Sequence, residues 1–288
     1  MADTNMMRRL KRRKMLRQAA NLVLLYGGMT ALAVILIIPF LWTLSTSLKH
    51  PAEVFAFPPR FIPQQIHWRN YADAWMRVPF GRYFINSIIV SCSVTLGQVF
   101  TSALAAFAFA RLDFPGRNKL FLGYLGTMMI PGQVTMIPVF IVCKQLNLID
   151  TYAALILPGL FSAYGTFMLR QFFLTIPKDL EEAAIIDGLN YWQIFTHVIV
   201  PLSKPALFTL GTFVFLGAWN DFMWPLIVTN ADSMKTLPVG LAAFQGQYST
   251  DWTLLMAGSV IVLTPVLLLY IVNQRFITKG FVMSGLKG

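Results

Sequence analysis

The sequence predicts an all-α integral membrane protein with six transmembrane helices. Of its 288 residues, 56% are hydrophobic and only 12% are charged, about half the charged fraction of an ordinary soluble domain. The mean hydropathy of +0.62 agrees with this. Stretches without charge recur along the chain, each close to the roughly 20 residues that a helix needs to cross a bilayer. One polytopic membrane domain is therefore expected.

These charge-free stretches define the predicted spans. A basic N-terminal tail (1–20) precedes the first span, and the fifth is interrupted only by Asp221. An outer loop (47–82) and a cytoplasmic loop (173–204) are long enough to carry structure of their own, and a cytoplasmic tail (276–288) ends the chain. The predicted spans cover about 21–46, 83–110, 119–143, 151–172, 205–230 and 252–275.

Prolines are expected to perturb four of these helices, because a proline removes a backbone hydrogen bond and tends to kink a helix. As a set they suit a protein that must rearrange. They are Pro131 and Pro138 in the third span, Pro158 in the fourth, Pro225 in the fifth and Pro265 in the sixth.

The basic residues predict that both termini are cytoplasmic. Seven of the first seventeen residues are basic, directly before an apolar run that exceeds the roughly 7–15 residues of a signal-peptide core. With this end inside, sixteen of the 23 lysines and arginines fall in cytoplasmic segments and seven in outer ones, as the positive-inside rule expects. The net charge of +11 is therefore interpreted as a topogenic signal facing membrane lipid, not as a nucleic-acid-binding surface.

The sequence gives no sign of a metal site or a catalytic centre. Cys92 and Cys143 lie in apolar stretches without CxxC spacing, and the three histidines show no paired spacing. Both cysteines are interpreted as small packing residues. We expect no cofactor on this chain.

The cytoplasmic loop carries the most informative local pattern. Asp179 is predicted as an N-cap, with Glu182 three residues later completing a capping box. Gly188 stands where a left-handed C-terminal residue is expected. Asn190 then caps a second helix that runs to about Pro201. The loop is therefore predicted to be two short helices joined at a glycine.

The first of these helices is predicted to be a docking surface for another protein. Ala183 and Ala184 give it a shallow face that a partner could approach closely. Helices that lie on a membrane surface favour lysine and large apolar residues. This helix instead carries Glu181, Glu182 and Asp187 around its alanines.

The same loop resembles the EAA loop of ATP-binding cassette (ABC) importer permeases, whose pattern is E-A-A-x-x-x-G followed further on by I-x-L-P. Glu182-Ala183-Ala184 and Gly188 match the first part, and Val198-Ile199-Val200-Pro201 stands where I-x-L-P is expected. Further stretches are similar to the maltose-type carbohydrate permeases, and within that group to the smaller partner of the heteromeric pair. They are Trp219–Leu226, Thr236–Leu241 and the ending Gly280–Gly288.

This resemblance implies a type I ABC importer (MetI-like) permease fold in the bacterial inner membrane, translocating a sugar or sugar-like solute. It implies a second permease in a heterodimer, two ATPase subunits that bind ATP and Mg²⁺, and an extracytoplasmic solute-binding protein. The tail is implied to contact the ATPases; it lacks the Gly-Lys-Ser/Thr of a nucleotide-binding loop. The residues implied in coupling are Glu181, Glu182, Ala183, Ala184, Asp187, Gly188 and Pro201.

Asp221 is the only acidic residue inside a predicted span. Ionisable residues there are costly, and they face a pathway or a packing partner. Aromatic faces beside amide and carboxylate groups also suit sugar binding. Substrate contact and helix packing both remain open for this residue. The candidate pathway residues are Asn86, Gln133, Trp219, Asn220, Asp221 and Trp224.

Three alternatives stay open at this stage. A permease of the same architecture could serve glycerol phosphate, an oligosaccharide or a glycosidic osmolyte. A secondary transporter should show repeated halves and charged residues at mid-membrane, and a membrane enzyme should show clustered catalytic groups. Either of the last two would leave the EAA-like loop without a purpose.

Overall fold

The computed structural model describes residues 2–246 and 249–285, and their regular structure is helical, as predicted. Short 3₁₀ turns and one π-helical turn join some of the helices. The helices are α1 (Ala2–Ser47), α2 (Arg69–Arg77), α3 (Phe80–Arg111), α4 (Arg117–Gly126), α5 (Gly132–Gln145), α6 (Tyr152–Ile156), α7 (Ala163–Phe173), α8 (Asp179–Ile186), α9 (Tyr191–Ile194), α10 (Val200–Leu202), α11 (Lys204–Trp219), α12 (Met223–Val228), α13 (Leu237–Ala242) and α14 (Trp252–Gly285).

Three helical stretches are individually long and apolar enough to cross a membrane: Ala20–Ser47, Phe80–Arg111 and Trp252–Ile271. Three further candidates are pairs of helices that bend sharply at a short break. Counting each bent pair as one span gives six by length and composition. The pairs are Arg117–Met129 with Gly132–Gln145 (97°), Tyr152–Leu160 with Ala163–Phe173 (42°) and Tyr191–Leu202 with Lys204–Trp219 (79°).

Some of the prolines that are expected to perturb helices coincide with these breaks, and others do not. The third predicted span divides at Pro131, where Ile130 is extended (φ −88°, ψ 115°), because the proline ring disfavours helical dihedrals in the residue before it. Pro158 lies in the 3₁₀ turn that ends α6. Pro138 and Pro265, in contrast, lie inside α5 and α14 without ending them.

The chain divides into two compact units. The first comprises Met1–Tyr71 and Asp251–Val260. In it, Lys49 is 1% exposed and its ammonium lies 4.1 Å from the centre of the Trp42 ring. Asn70 fixes the end of α1 by donating from Nδ2 to the carbonyls of Ser47 (2.9 Å) and Lys49 (2.8 Å).

The second unit comprises Ala72–Thr250 and Ile261–Gly288 and contains the candidate site. Its helix α3 packs against both α7 and α11. One buried cluster joins α3 and α7 to the segment from α8 to α11. A second cluster joins the other half of α3 to α5, α6 and α12.

Two short connections of this second unit are tied together by Asp150. Its carboxylate accepts hydrogen bonds from the backbone amides of Asn230 (2.6 Å) and Ala231 (2.8 Å). These bonds hold the pKa of Asp150 below its usual range. Asp150 and Asn147 both have positive φ angles (61° and 56°), a conformation that aspartate and asparagine tolerate better than other non-glycine residues.

Candidate functional site

The predicted loop folds as helix, glycine turn and helix, and residues 179–202 are named the coupling segment for the role that the sequence predicts. The predicted capping box at its start is wrong. Lys178 precedes α8 with helical dihedrals (φ −66°, ψ −29°), and no described side chain caps the helix. The amides of Glu181 and Glu182 instead bond to the Lys178 carbonyl (2.8 and 3.0 Å). Asp179 and the two glutamates still place negative charge at the helix N-terminus, where the helix dipole favours it.

Gly188 ends α8 in the left-handed conformation that the sequence predicts (φ 84°). The amide of Leu189 bonds to the Ala184 carbonyl (3.0 Å) and that of Gly188 to the Ile185 carbonyl (2.9 Å), which together form a Schellman C-cap. A Cβ atom at Gly188 would meet no heavy atom within 4 Å. The backbone angle, and not local crowding, therefore favours glycine here.

Asn190 caps the second helix, as predicted. Its side chain accepts from the amide of Gln193 (2.9 Å), and the Gln193 side chain accepts from the amide of Asn190 (2.9 Å), which completes a capping box. A π-helical turn over Phe195–Ile199 follows, and α10 with Pro201 ends the segment. Pro201 has no N–H to continue the α-helical pattern.

The coupling segment has one buried side and one exposed side. Ala184 (6% exposed) and the aliphatic and aromatic side chains of Ile194, Phe195 and Ile199 pack into the cluster with α3, α7 and α11. Ala183 is exposed, as are Glu182, Asp187 and Ile186 (85%). The prediction that both alanines form a free face is therefore wrong for Ala184, which attaches the segment to its own chain. Ala183 remains available to a partner.

Glu181 lies between these two sides. Its Oε1 is 2.7 Å from Nε of Arg111, the last residue of α3, and its side chain is 16% exposed. Burial raises the pKa of Glu181, while the charges of Arg111 and Lys178 partly offset the shift. Glu181 therefore contacts the body of its own chain, whereas Glu182 points away from it.

Two of the candidate pathway residues are committed to internal contacts. Asn86 is fully buried; its Nδ2 donates to the carbonyls of Ser233 (2.9 Å) and Lys235 (2.8 Å), and its Oδ1 accepts from the hydroxyl of Tyr152 (2.7 Å). Trp219 is 1% exposed, and its Nε1 donates to the Val262 carbonyl (3.1 Å). These contacts hold both side chains inside their own chain, and their role in the pathway stays a prediction.

The remaining candidates lie on two parts of the chain, the start of α5 and the region from the end of α11 to the start of α12. Gln133 is exposed in the first turn of α5. Asn220 is exposed at the end of α11, where its Nδ2 donates back to the Leu216 carbonyl (2.8 Å). Asp221 follows in the break before α12, and its Oδ1 accepts from the amide of Trp224 (3.3 Å). Asp221 thus stabilises the start of α12.

Asp221 and Trp224 also line a cleft of about 360 Å³ within the second unit. The indole of Trp224 is held there by a bond from its Nε1 to the Ala154 carbonyl (2.9 Å). Gln98, which is not among the predicted candidates, lines the same cleft. Its position four and eight residues after Val94 and Val90 places all three on one face of α3. The other lining residues are Leu155, Pro158, Gly159, Val214, Gly217, Ala218 and Pro225.

The described residues contain no group of three or more histidine, cysteine or acidic side chains that could hold a metal ion. Cys143 is buried and Cys92 is exposed, and neither is in a disulfide.

A protein-family model described as binding-protein-dependent transport system inner membrane component matches residues 98–279. The chain is 36% identical to the inner membrane ABC transporter permease protein YcjP of Escherichia coli (strain K12) over 91% of this chain and 95% of the relative. It is 33% identical to the arabinooligosaccharides transport system permease protein AraQ of Halalkalibacterium halodurans, over 92% and 96% of the two chains. It is 35% identical to the sn-glycerol-3-phosphate transport system permease protein UgpE of Pectobacterium atrosepticum, over 81% and 85%.

Among solved structures, the chain is similar to a bacterial ABC transporter involved in the import of the acidic polysaccharide alginate. The TM-score is 0.78 at 23% identity, over 88% of this chain and 96% of the other. This likeness confirms the predicted permease fold. The match of the family model includes the coupling segment and all of the cleft-lining residues except Val90 and Val94.

Proposed function

The chain belongs to the binding-protein-dependent transport system inner membrane components, and from this premise we propose that it moves a sugar or sugar-like solute across the inner membrane by alternating access. It is a multi-pass membrane permease subunit of an ABC importer and not an enzyme. Family membership excludes the secondary transporter and the membrane enzyme. We further propose that both termini face the cytoplasm, on the basic-residue count.

The coupling segment supports a contact with partner ATPases that hold ATP and Mg²⁺. Its buried side is packed into the cluster with α3, α7 and α11, so a push on the segment reaches three helices at once. Its exposed side presents Glu182, Ala183 and Ile186 without a partner from the described part of the chain. A rigid attachment on one side and a small, free surface on the other are what a mechanical link between two proteins requires.

The proposed complex has a second permease, two ATPase subunits and an extracytoplasmic solute-binding protein. The cleft beside Asp221 supports a solute pathway, because its walls combine apolar side chains with Gln98, an indole and a carboxylate. Such mixed walls suit a polyhydroxylated solute. Relatives named for arabinooligosaccharide and diacetylchitobiose uptake agree with a carbohydrate, and a relative named for glycerol phosphate makes that solute the second candidate.

The experiment is uptake by the complete transporter in proteoliposomes, with ATP inside and the solute-binding protein outside. Labelled neutral oligosaccharides and glycerol phosphate are offered in parallel. We expect accumulation of the carbohydrate that needs both ATP and the binding protein. Uptake driven by an ion gradient without ATP would contradict the proposal, and uptake of glycerol phosphate alone would replace the solute class.

Asp221 is expected to matter for transport. Replacing Asp221 with alanine removes a carboxylate from the cleft and the cap from the Trp224 amide. We expect uptake to fall roughly tenfold, which is the order of a lost hydrogen bond to a charged group, with normal assembly. Uptake kinetics measured in proteoliposomes check this.

Asp221→Asn separates a contact with solute from the capping of the Trp224 amide, because asparagine keeps an acceptor for that amide but carries no charge. Loss in both variants supports a contact with solute. Full uptake by the asparagine variant would leave Asp221 only as a cap, and unchanged kinetics in the alanine variant would remove it from the pathway.

A further inference from the structure

The end of α3 is joined to the coupling segment by one arginine. Nη2 of Arg111 donates to the carbonyls of Phe173 (2.5 Å), at the end of α7, and of Ile176 (2.8 Å), just before α8. Its Nε faces the Glu181 carboxylate at 2.7 Å. One guanidinium therefore contacts the end of α7, the chain leading into α8, and α8 itself.

A second arginine ties α7 to α3 in the opposite direction. Arg170 of α7 donates from Nε to the Phe109 carbonyl (3.2 Å), in the last turn of α3, and its guanidinium carbon lies 4.2 Å from the centre of the Phe121 ring. Each of the two helices thus receives, at a carbonyl of its last turn, a charged donor from the other helix. The helix dipole favours a cation at this end. Of these two arginines, Arg111 also contacts the coupling segment, through Glu181 of α8.

Arg111 is suited to a rigid junction because it is buried, its Nη2 donates two hydrogen bonds, and its Nε lies against the Glu181 carboxylate as an ion pair without hydrogen-bond geometry. Its side chain is 2% exposed. A planar guanidinium holds several acceptors in a fixed geometry, which a lysine ammonium on a flexible chain does not. Ile176 and Ala184, which stand before and after Glu181 in the sequence, are themselves packed into the cluster with α3. Movement of α8 relative to α3 would have to break a desolvated ion pair, which is costly.

We propose that Arg111 is a positioning residue that fixes the coupling segment to α3, so that displacement of α8 by its partner moves α3 and the cleft-lining residues on it. This inference rests on the proposed function, because it assumes that a partner displaces α8. The path is continuous: Glu181 is on α8, Arg111 ends α3, and Gln98 lines the cleft from the same helix. Removing the guanidinium should therefore leave docking intact and weaken the transmission.

The test measures the ratio of solute molecules taken up to ATP molecules hydrolysed by the complete transporter in proteoliposomes. For Arg111→Gln we expect this ratio to fall roughly tenfold, within the range measured for residues that carry coupling between sites, while ATPase subunits stay bound. Arg111→Lys keeps the charge but not the fixed geometry, and a smaller fall is expected. Arg117→Gln is the matched control, because the Arg117 side chain bonds to the Leu112 carbonyl and pairs with the exposed Asp113, neither of which belongs to the coupling segment, although its charge also acts on Arg170; its ratio should be that of the unmodified protein.

A purely structural Arg111 would lower the amount of assembled transporter and leave the ratio unchanged, and that result overturns the proposal. If Arg111→Gln does not assemble, Arg111→Lys decides in the same way: assembly with an unchanged ratio overturns the proposal, and a reduced ratio supports it. The proposed function fails separately, if the unmodified transporter shows no ATP-dependent uptake.

Discussion

Ala183→Trp is expected to reduce ATP-dependent uptake about 30-fold while the protein stays folded in the membrane. Ala183 is exposed on α8 between Glu182 and Ile186, which is also largely exposed. An indole there would hold a partner surface away from the helix, and a disrupted central contact in a protein interface costs about 2 kcal/mol or more, which corresponds to that factor. Uptake and the amount of copurified ATPase are measured together, and both should fall.

Two variants control this result. Ala183→Ser keeps a small side chain at the same place, so it should transport and assemble normally. Ala184→Trp inserts the same ring one residue later into the cluster around α3, α7 and α11, where overpacking is destabilising. It should reduce the amount of folded permease. Normal uptake by Ala183→Trp would show that no partner contacts this face of α8.

Gly188→Val is the second large effect that we expect. The residue has φ 84°, and strain of this kind costs on the order of 1–3 kcal/mol for a non-glycine residue, most for a β-branched one. The Schellman cap would open, and the direction of α8 relative to the second helix would change. We expect uptake to fall about tenfold, with the chain still present in the membrane, as measured by transport and by quantitative immunoblotting.

Gly188→Asn is the matched control, because asparagine enters the left-handed region more readily than valine. No heavy atom lies within 4 Å of a Cβ at this position, so the two variants differ in backbone strain and not in local crowding. The asparagine variant should retain most of the uptake. Equal loss in both would show that the exposed side chain itself, and not the backbone angle, blocks the partner.

Features set by neighbouring residues could be predicted from the sequence. Gly188 and Asn190 act through bonds to residues within five positions of themselves, so their roles follow from residue type and spacing. Asp179 failed as a cap although its spacing to Glu182 was correct. The chain enters α8 already helical at Lys178, which places Asp179 inside the first turn and moves the cap one residue earlier.

Features set by distant contacts could not be predicted. Asn86 binds carbonyls at positions 233 and 235, and Trp219 binds one at position 262, so the sequence could not indicate that distant backbone groups hold these two side chains. In the same way, α8 carries apolar residues around much of its circumference. The sequence could not indicate that Ala184 faces inward and Ala183 outward.

The apolar stretches could be predicted from the sequence, and they give six candidate spans when each bent pair counts as one; their continuity could not be predicted. Composition locates each apolar stretch, because the bilayer fixes the length of helix that it must bury. Whether a proline ends a helix depends on whether neighbouring groups replace the lost hydrogen bond. Pro131 divides its span and Pro265 does not, and the two cannot be distinguished by sequence alone.

The most direct measurement is cysteine labelling and crosslinking at position 186, the most exposed large apolar residue of α8, in a protein whose Cys92 and Cys143 have been replaced. A membrane-impermeant thiol reagent should label Ile186→Cys only from the cytoplasmic side. A short crosslinker should join it to a subunit that hydrolyses ATP in the intact transporter. Labelling from the outside, or a transporter in which no nucleotide-hydrolysing subunit can be crosslinked to this helix, would contradict the account.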